Sequence, residues 1–264
     1  MGKLSPENAE RVLRLQKDEG LKFGEAAQKL GFVTEADIAQ VLSLQFDYPY
    51  LQPGQGNFAT ELVAAYQPFS AQVEGLRALR TQLMLRWFSE GHKALALVSP
   101  NPEEGSSYLA ANLAVVFSQL GEKTLLVDAN LRKPRQHQIF NLQEARGLSD
   151  ILAGRAGMDV VSRMTSLVGL SVLGAGTIPP NPQELLGRAS FTDFMNQVIG
   201  HYDVVIFDTA PALVSSDAQT TAARCGGALL VSRLNHTRVA DLESARDQIV
   251  VTGARVVGAT INSY

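Results

Sequence analysis

The chain has 264 residues, enough for one full α/β domain and a small extra module. With 45% hydrophobic residues, 19% charged residues and a net charge of −3, it has an ordinary soluble composition and lacks the basic excess of a nucleic-acid-binding face. A single cysteine, Cys225, excludes an internal disulfide framework and a cysteine-based zinc site, and no apolar run approaches the ~18–20 residues of a membrane span. No secretory signal is visible, so a cytoplasmic chain is expected, with any membrane role exerted through a partner.

Residues 1–50 read as a small helical domain. Ser5-Pro6-Glu7 is a helix start, with Ser5 as N-cap and Pro6 at the first helical position. Val12, Leu13 and Leu15 supply an apolar face. A short helix over Glu25–Leu30 is punctuated by Gly24 and Gly31. Thr34 and Asp37 form a capping box for a further helix carrying Ile38, Val41 and Leu42 and closing at Gln45. This run resembles the N-terminal domain of type II secretion and pilus ATPases. One branch of that family binds cyclic di-GMP through a pattern whose spacing Lys22, Phe23, Gly24, Gly31, Ile38, Leu42 and Gln45 follow. Ala27 and Gln28 replace its apolar pair, and one copy is present where the nucleotide-binding form carries two. A docking or assembly domain is the reading favoured here; Lys22, Gly24, Gly31 and Gln45 are the residues of the cyclic di-GMP alternative.

Residues 51–59, with Pro53, Gly54 and Gly56, read as a linker, and 60–264 as the second domain. Residues 70–88 form one predicted helix with Val73, Leu76, Leu79 and Leu83 on a face. Glu74, Arg77 and Arg80, spaced by three, fit a solvated face held by ion pairs. From Ala94 strands and helices alternate. The predicted strands are Ala94–Val98, Thr124–Asp128, Leu170–Leu173, Val204–Asp208, Ala228–Val231 and Val256–Ile261. Helices are predicted at Ser107–Gln119, Gln183–Leu186, Phe191–Ile199, Ala218–Arg224 and Val239–Val250. Continuous apolar strands with helical crossovers predict an α/β fold, a mostly parallel sheet with helices on both faces. Ligands of such sheets sit at the carboxyl ends of the strands.

Three predicted strand ends carry polar groups. Ala94–Val98 runs into Ser99–Ser107, a small-residue loop before a helix, which suits a phosphate. Gly105 permits close backbone approach, and Ser107 stands where a Walker A hydroxyl ligates Mg²⁺. TLLVDANLR ends in Asp128, with Asn130 and Arg132 beyond it, and DVVIFDTAP ends in Asp208. A carboxylate after a buried apolar run is costly unless it meets a cation or a donor. The four histidines are scattered, with no metal-ligand spacing, and Gly174-Ala-Gly176 is a turn.

These residues give a family resemblance. Residues 69–262 resemble the bacterial tyrosine kinases of polysaccharide co-polymerase systems, a MinD/ParA-type branch of the P-loop NTPase fold. Ser99 to Ser107 with Ala111–Ala114 match Walker A and its helix, TLLVDANLRKP the Walker A′ signature DxDxR, and DVVIFDTAP with Asp217-Ala218 Walker B. Glu74, Arg77 and Arg80 match ExxRxxR, the ring-forming motif. Gly176–Leu186 resembles a further segment of the family, and Gly147-Leu148-Ser149 with Leu152–Gly157 resembles the chain-length-determinant kinases encoded with exosortase-linked exopolysaccharide loci. The resemblance implies ATP and Mg²⁺ as cofactors, and phosphate contacts from Gly105, Ser106, Ser107 and Tyr108. It implies Mg²⁺ held by Ser107, Asp128 and Asp208, with Asp128, Arg132 and Asp208 in catalysis and Asp128 as general base. It also implies a homo-oligomeric ring, a membrane polysaccharide co-polymerase as partner, recruitment to the inner face of the membrane and control of exopolysaccharide chain length. The departures fall on the chemistry. Ser106 replaces the Walker A lysine, Glu103 and Glu104 stand beside the phosphate loop, and Asn130 replaces the second aspartate of DxDxR. Tyr264, the phosphoacceptor candidate, is the one C-terminal tyrosine where the family carries a cluster. Weak catalysis follows, or, as the alternative, an inactive nucleotide- or cyclic di-GMP-sensing module. Lys133 and Arg135 are candidate replacement cations; Lys93 precedes the first strand, at the wrong end.

Overall fold

A computed structural model describes residues 4–35, 37, 38, 41, 51 and 55–263. The chain divides into two compact units, 1–50 and 51–264.

In the first unit the helices Pro6–Glu19 and Phe23–Lys29 pack Val12 against Ala26 and Ala27. Ser5 Oγ accepts from Asn8 N at 3.2 Å, which starts the first helix where the sequence places it. Thr34 and Asp37 exchange hydrogen bonds, Thr34 N to Asp37 Oδ2 and Asp37 N to Thr34 Oγ1. Gly24 faces Ile38, where a Cβ would lie 3.3 Å from its methyl carbon, and Gly31 has φ +70°. Lys22 is exposed. Leu42 and Gln45 lie outside the described residues.

The second unit is built on a seven-stranded sheet, β1 Ala94–Val98, β2 Thr124–Asp128, β3 Ser162–Arg163, β4 Leu170–Leu173, β5 Val204–Asp208, β6 Gly227–Arg233 and β7 Arg255–Asn262. Its order is β3-β4-β2-β5-β1-β6-β7. All pairings are parallel except β3 with β4, which is antiparallel at one edge. The central strands are buried throughout, and alternate residues feed opposite cores. Leu95, Leu97, Leu126 and Ile206 join the helices Ala71–Arg86 and Ser106–Ser118 on one face. Ala96, Val98, Val127 and Phe207 join Ala189–His201 and Asp217–Cys225 on the other. Cys225 belongs to the second core, and burial holds its thiol protonated.

Within residues 51–59, two described apolar residues among the turn residues pack. Leu51 is buried with its N–H on Ala65 O, and Phe58 meets Phe140 edge-on at 5.8 Å. On the helix face read as solvated and held by ion pairs, Glu74 is exposed and pairs with Arg77 at i,i+3, but the arginines turn inward. Arg80 donates to Val116 O at 2.7 Å, and Arg77 reaches Pro68 O and Glu74. Arg77 is 18% exposed and Glu74 73%.

The segments around Gly147 and Gly174–Gly176 are one junction at the end of β4. Leu148 N and Ser149 N donate to Gly174 O and Ala175 O, both at 2.9 Å. Asp150 accepts from Gly147 N, Thr177 N and Arg155, and this saturation holds its carboxyl down at about 2 although burial opposes it. A Cβ on Gly147 would stand 2.0 Å from Gly174 O. Gly147→Ala is therefore expected to cost about 3 kcal/mol, at the upper end for overpacking. A denaturant midpoint equal to the parent's would contradict this contact.

Candidate nucleotide site

Pairing brings the predicted strand ends together. Asp128 and Asp208 are register partners on the adjacent strands β2 and β5, and Leu97 of β1 is opposite Asp208. Gly105, at φ +85°, turns the chain out of the loop and caps the helix Ser106–Ser118, whose first N–H groups have no partner within the helix. A cleft of about 740 Å³ lies over this end of the sheet, lined among others by Gly105–Tyr108, Asn130 and Arg132. Such a cleft, with a helix N-terminus at its floor, suits an anion.

Both carboxylates are fully buried. Burial pushes Asp128 well above the ordinary carboxylate range, and the charge of Asp208 adds to it; the N–H groups of Gln136, Arg135 and Asn130 pull it back. Burial raises Asp208 too, against hydrogen bonds from Gln136, Ser107 and Ser106 and the charge of Arg135. Two repelling buried carboxylates beside a hydroxyl fit a divalent cation, which would return what burial removed. Among the described residues no group of three or more His, Cys, Asp or Glu could hold an ion alone. Mg²⁺ at such a site takes much of its shell from phosphate oxygens and water.

The other expected residues have definite places. Ser106 is buried, its Oγ 3.4 Å from Leu97 O and 3.5 Å from Asp208 Oδ1. Tyr108 lines the cleft, its hydroxyl accepting from Gln72 Nε2 at 2.7 Å. Arg132 grips buried Asp217 through two bonds, 2.6 and 3.1 Å. Asn130 caps a turn, Oδ1 accepting from Lys133 N at 3.1 Å. Arg135 Nη2 donates to both carboxylate oxygens of Glu61, and Lys93 binds Ile199 O and Tyr202 O. Glu104 lines the cleft but its carboxylate is buried, accepting from Asn101 N and Thr237 Oγ1. Glu103 stays exposed, at φ +64°, with its carbonyl bound by Arg233. Tyr264 lies outside the described residues. Two residues had no signal in the sequence reading: Arg233, at the end of β6 over the phosphate loop, and Gln136, whose side chain reaches Asp208.

A parallel sheet with a phosphate loop on β1, carboxylates ending β2 and β5, and a helix N-terminus between them defines a P-loop NTPase. The chain belongs to the bacterial tyrosine-protein kinase family. Tyrosine-protein kinase YwqD of Bacillus subtilis is 35% identical over 201 residues, covering 76% of this chain and 85% of its own length. The kinase domain of Escherichia coli tyrosine kinase ETK matches with a TM-score of 0.74 at 32% identity, over 76% of this chain and 79% of that one. The chimerical protein CapA2B2 gives 0.73 at 32%, over 87% and 98%. MinD of Pyrococcus horikoshii, solved with Mg-ADP, shares the fold at 20% identity and a TM-score of 0.56 over 64% and 70%. No family model matches the chain.

Proposed function

We propose that this chain binds Mg-ATP at the cleft and acts with a membrane polysaccharide co-polymerase to regulate exopolysaccharide polymerisation and chain length, as a tyrosine autokinase of reduced rate. The observation that carries this is the register-paired Asp128 and Asp208 beside Ser107 at the helix N-terminus. Ser107, Asp128 and, through water, Asp208 would hold Mg²⁺, which neutralises phosphate charge when bound. Asp128, pushed up by burial, is the group suited to take a proton from a hydroxyl. Phosphotyrosine after incubation with Mg-ATP, lost in Asp128→Ala and tested with and without the partner's cytoplasmic segment, supports this reading.

The buried, inward-turned Ser106 favours a second one, a nucleotide-sensing module without phosphoryl transfer. Nucleotide binding without phosphotyrosine under any condition selects it. Neither binding nor phosphotyrosine overturns both.

Assembly into a ring at the membrane is proposed to use the helix carrying Glu74, Arg77 and Arg80. No helix among the described residues is long and apolar enough to cross a membrane. Because Arg77 and Arg80 also brace their own chain, Arg77→Ala with Arg80→Ala is expected to cost about 1.5–3 kcal/mol per lost charged hydrogen bond. Glu74→Ala removes only the exposed ion pair with Arg77 and so disturbs folding less than the arginine changes. An unchanged sedimenting mass for Glu74→Ala counts against this face. The first unit is proposed as a docking module, with cyclic di-GMP binding through Lys22, Gly24, Gly31 and Gln45 as its alternative; a titration without heat removes the latter.

A further inference from the structure

Gln136 ties the three strand ends to one another. It opens the short helix Gln136–Ile139 and is fully buried. Its N–H donates to Asp128 Oδ2 at 2.9 Å. Its side-chain Nε2 donates to Asp208 Oδ2 at 2.8 Å and to Ser107 O, in the first turn after the phosphate loop, at 3.1 Å. Its Oε1 is buried with no partner among the described residues. Turning the amide over would set Oε1 against a carboxylate and a carbonyl, two acceptors, so its neighbours fix the orientation and leave the carbonyl oxygen over. Buried acceptors left unpaired are uncommon and call for a ligand, an ion or water.

The surroundings select among these. Oε1 belongs to the side chain that binds one of two buried carboxylates, beside the Ser107 hydroxyl. Mg²⁺ at such a place keeps several of its waters, and a cation-bound water is a strong donor that needs an acceptor. We infer that Gln136 is a positioning residue for a hydrated divalent cation: Nε2 holds Asp208 and the phosphate loop together, and Oε1 accepts a hydrogen bond from a water of the cation's shell. This rests on the Mg-nucleotide reading of the site, and goes beyond it by giving the cation's water shell an acceptor outside the two aspartates.

The test uses the full chain, with ADP as probe. ADP affinity is measured by calorimetry with Mg²⁺ and with EDTA, and the ratio of the two is the quantity read, so that a general loss of binding cancels. Melting temperature is followed under the same conditions. Gln136→Met keeps the length of the side chain and removes both polar atoms. It is expected to shrink the Mg²⁺-dependent gain by about 10–100-fold, the usual effect of losing an outer-shell partner of a metal. A residue that only braces the fold lowers the melting temperature equally in Mg²⁺ and EDTA and leaves the gain unchanged; that result overturns the inference. If Gln136→Met does not fold, Gln136→Glu takes its place. A carboxylate beside Asp208 makes the site more dependent on a cation, so the Mg²⁺-induced rise in melting temperature grows; an unchanged or smaller rise overturns the inference. A parent that binds ADP with no Mg²⁺ gain overturns it while nucleotide binding stands. A parent that binds no ADP in either condition overturns both.

Discussion

Ser106→Lys is expected to raise phosphotyrosine formation by about 10²–10³-fold, the usual worth of one preorganised electrostatic group at a transition state. In phosphoryl transfer the protein contributes mostly position and charge. Ser106 contributes no charge and directs its hydroxyl to Leu97 O and Asp208. Of the cations around the cleft, Arg132 is held by Asp217, Arg135 by Glu61, and Arg233 reaches the backbone of Glu103. Lys133 lines the cleft with no side-chain hydrogen bond among the described residues, but it stands on the loop after β2, not in the phosphate loop. A lysine at 106 would sit in the first turn of the helix after left-handed Gly105, where its charge adds to the helix N-terminus. Ser106→Gln, of similar length and neutral, is the control. Equal rates for the two variants would show that the missing charge is not what limits the reaction.

Five of the six longer strands were legible as short apolar runs buried on both faces, and β7, at the sheet edge and mostly half-exposed, through the apolar residues Val256, Val257 and Ile261. The ends of β2 and β5 were legible for the same reason, since a carboxylate closing such a run stands out. β3 was not legible. It is two polar residues, Ser162 and Arg163, paired only because the chain returns along the edge of β4. Gln136 carries no periodicity and no motif position. Its burial follows from the chain folding back over Asp128, whose Oδ2 takes both Arg135 N and Gln136 N. Glu104 resembled a charge facing the phosphate, yet its partner Thr237 is 133 residues away. The Arg77–Arg80 spacing is compatible with an exposed face or a buried brace, and only the neighbouring helix with its Val116 carbonyl decides between them.

Asp208→Asn is expected to stabilise the cation-free chain while removing its response to Mg²⁺. In the parent, burial pushes both Asp128 and Asp208 above the unfolded carboxylate value of 3.8, and the charge of Asp208 adds to the rise at Asp128. A group whose pKa is raised by folding favours the folded state below its unfolded pKa. That contribution is lost as pH rises through the folded pKa. The cation-free parent should therefore lose stability as pH rises from about 4 through neutrality, since each pKa unit is worth about 1.4 kcal/mol. Asp128 is the poorer place to remove the charge. Its oxygens accept three backbone N–H groups, and an amide would turn a donor toward some of them. Asp208 accepts from the Gln136 amide and from the Ser107 and Ser106 hydroxyls, the Ser106 contact being long. An asparagine can present its oxygen to the first and its amide to the hydroxyl oxygens. Thermal melts in EDTA across pH 4–8 should show a shallower decline for Asp208→Asn than for the parent, and a higher melting temperature at pH 8. Addition of Mg-ADP should raise the parent's melting temperature and leave the variant's nearly unmoved. A variant less stable than the parent at pH 8 in EDTA would mean that the Gln136 and Ser106 contacts outweigh the repulsion, and that the aspartate pair is not held under electrostatic strain.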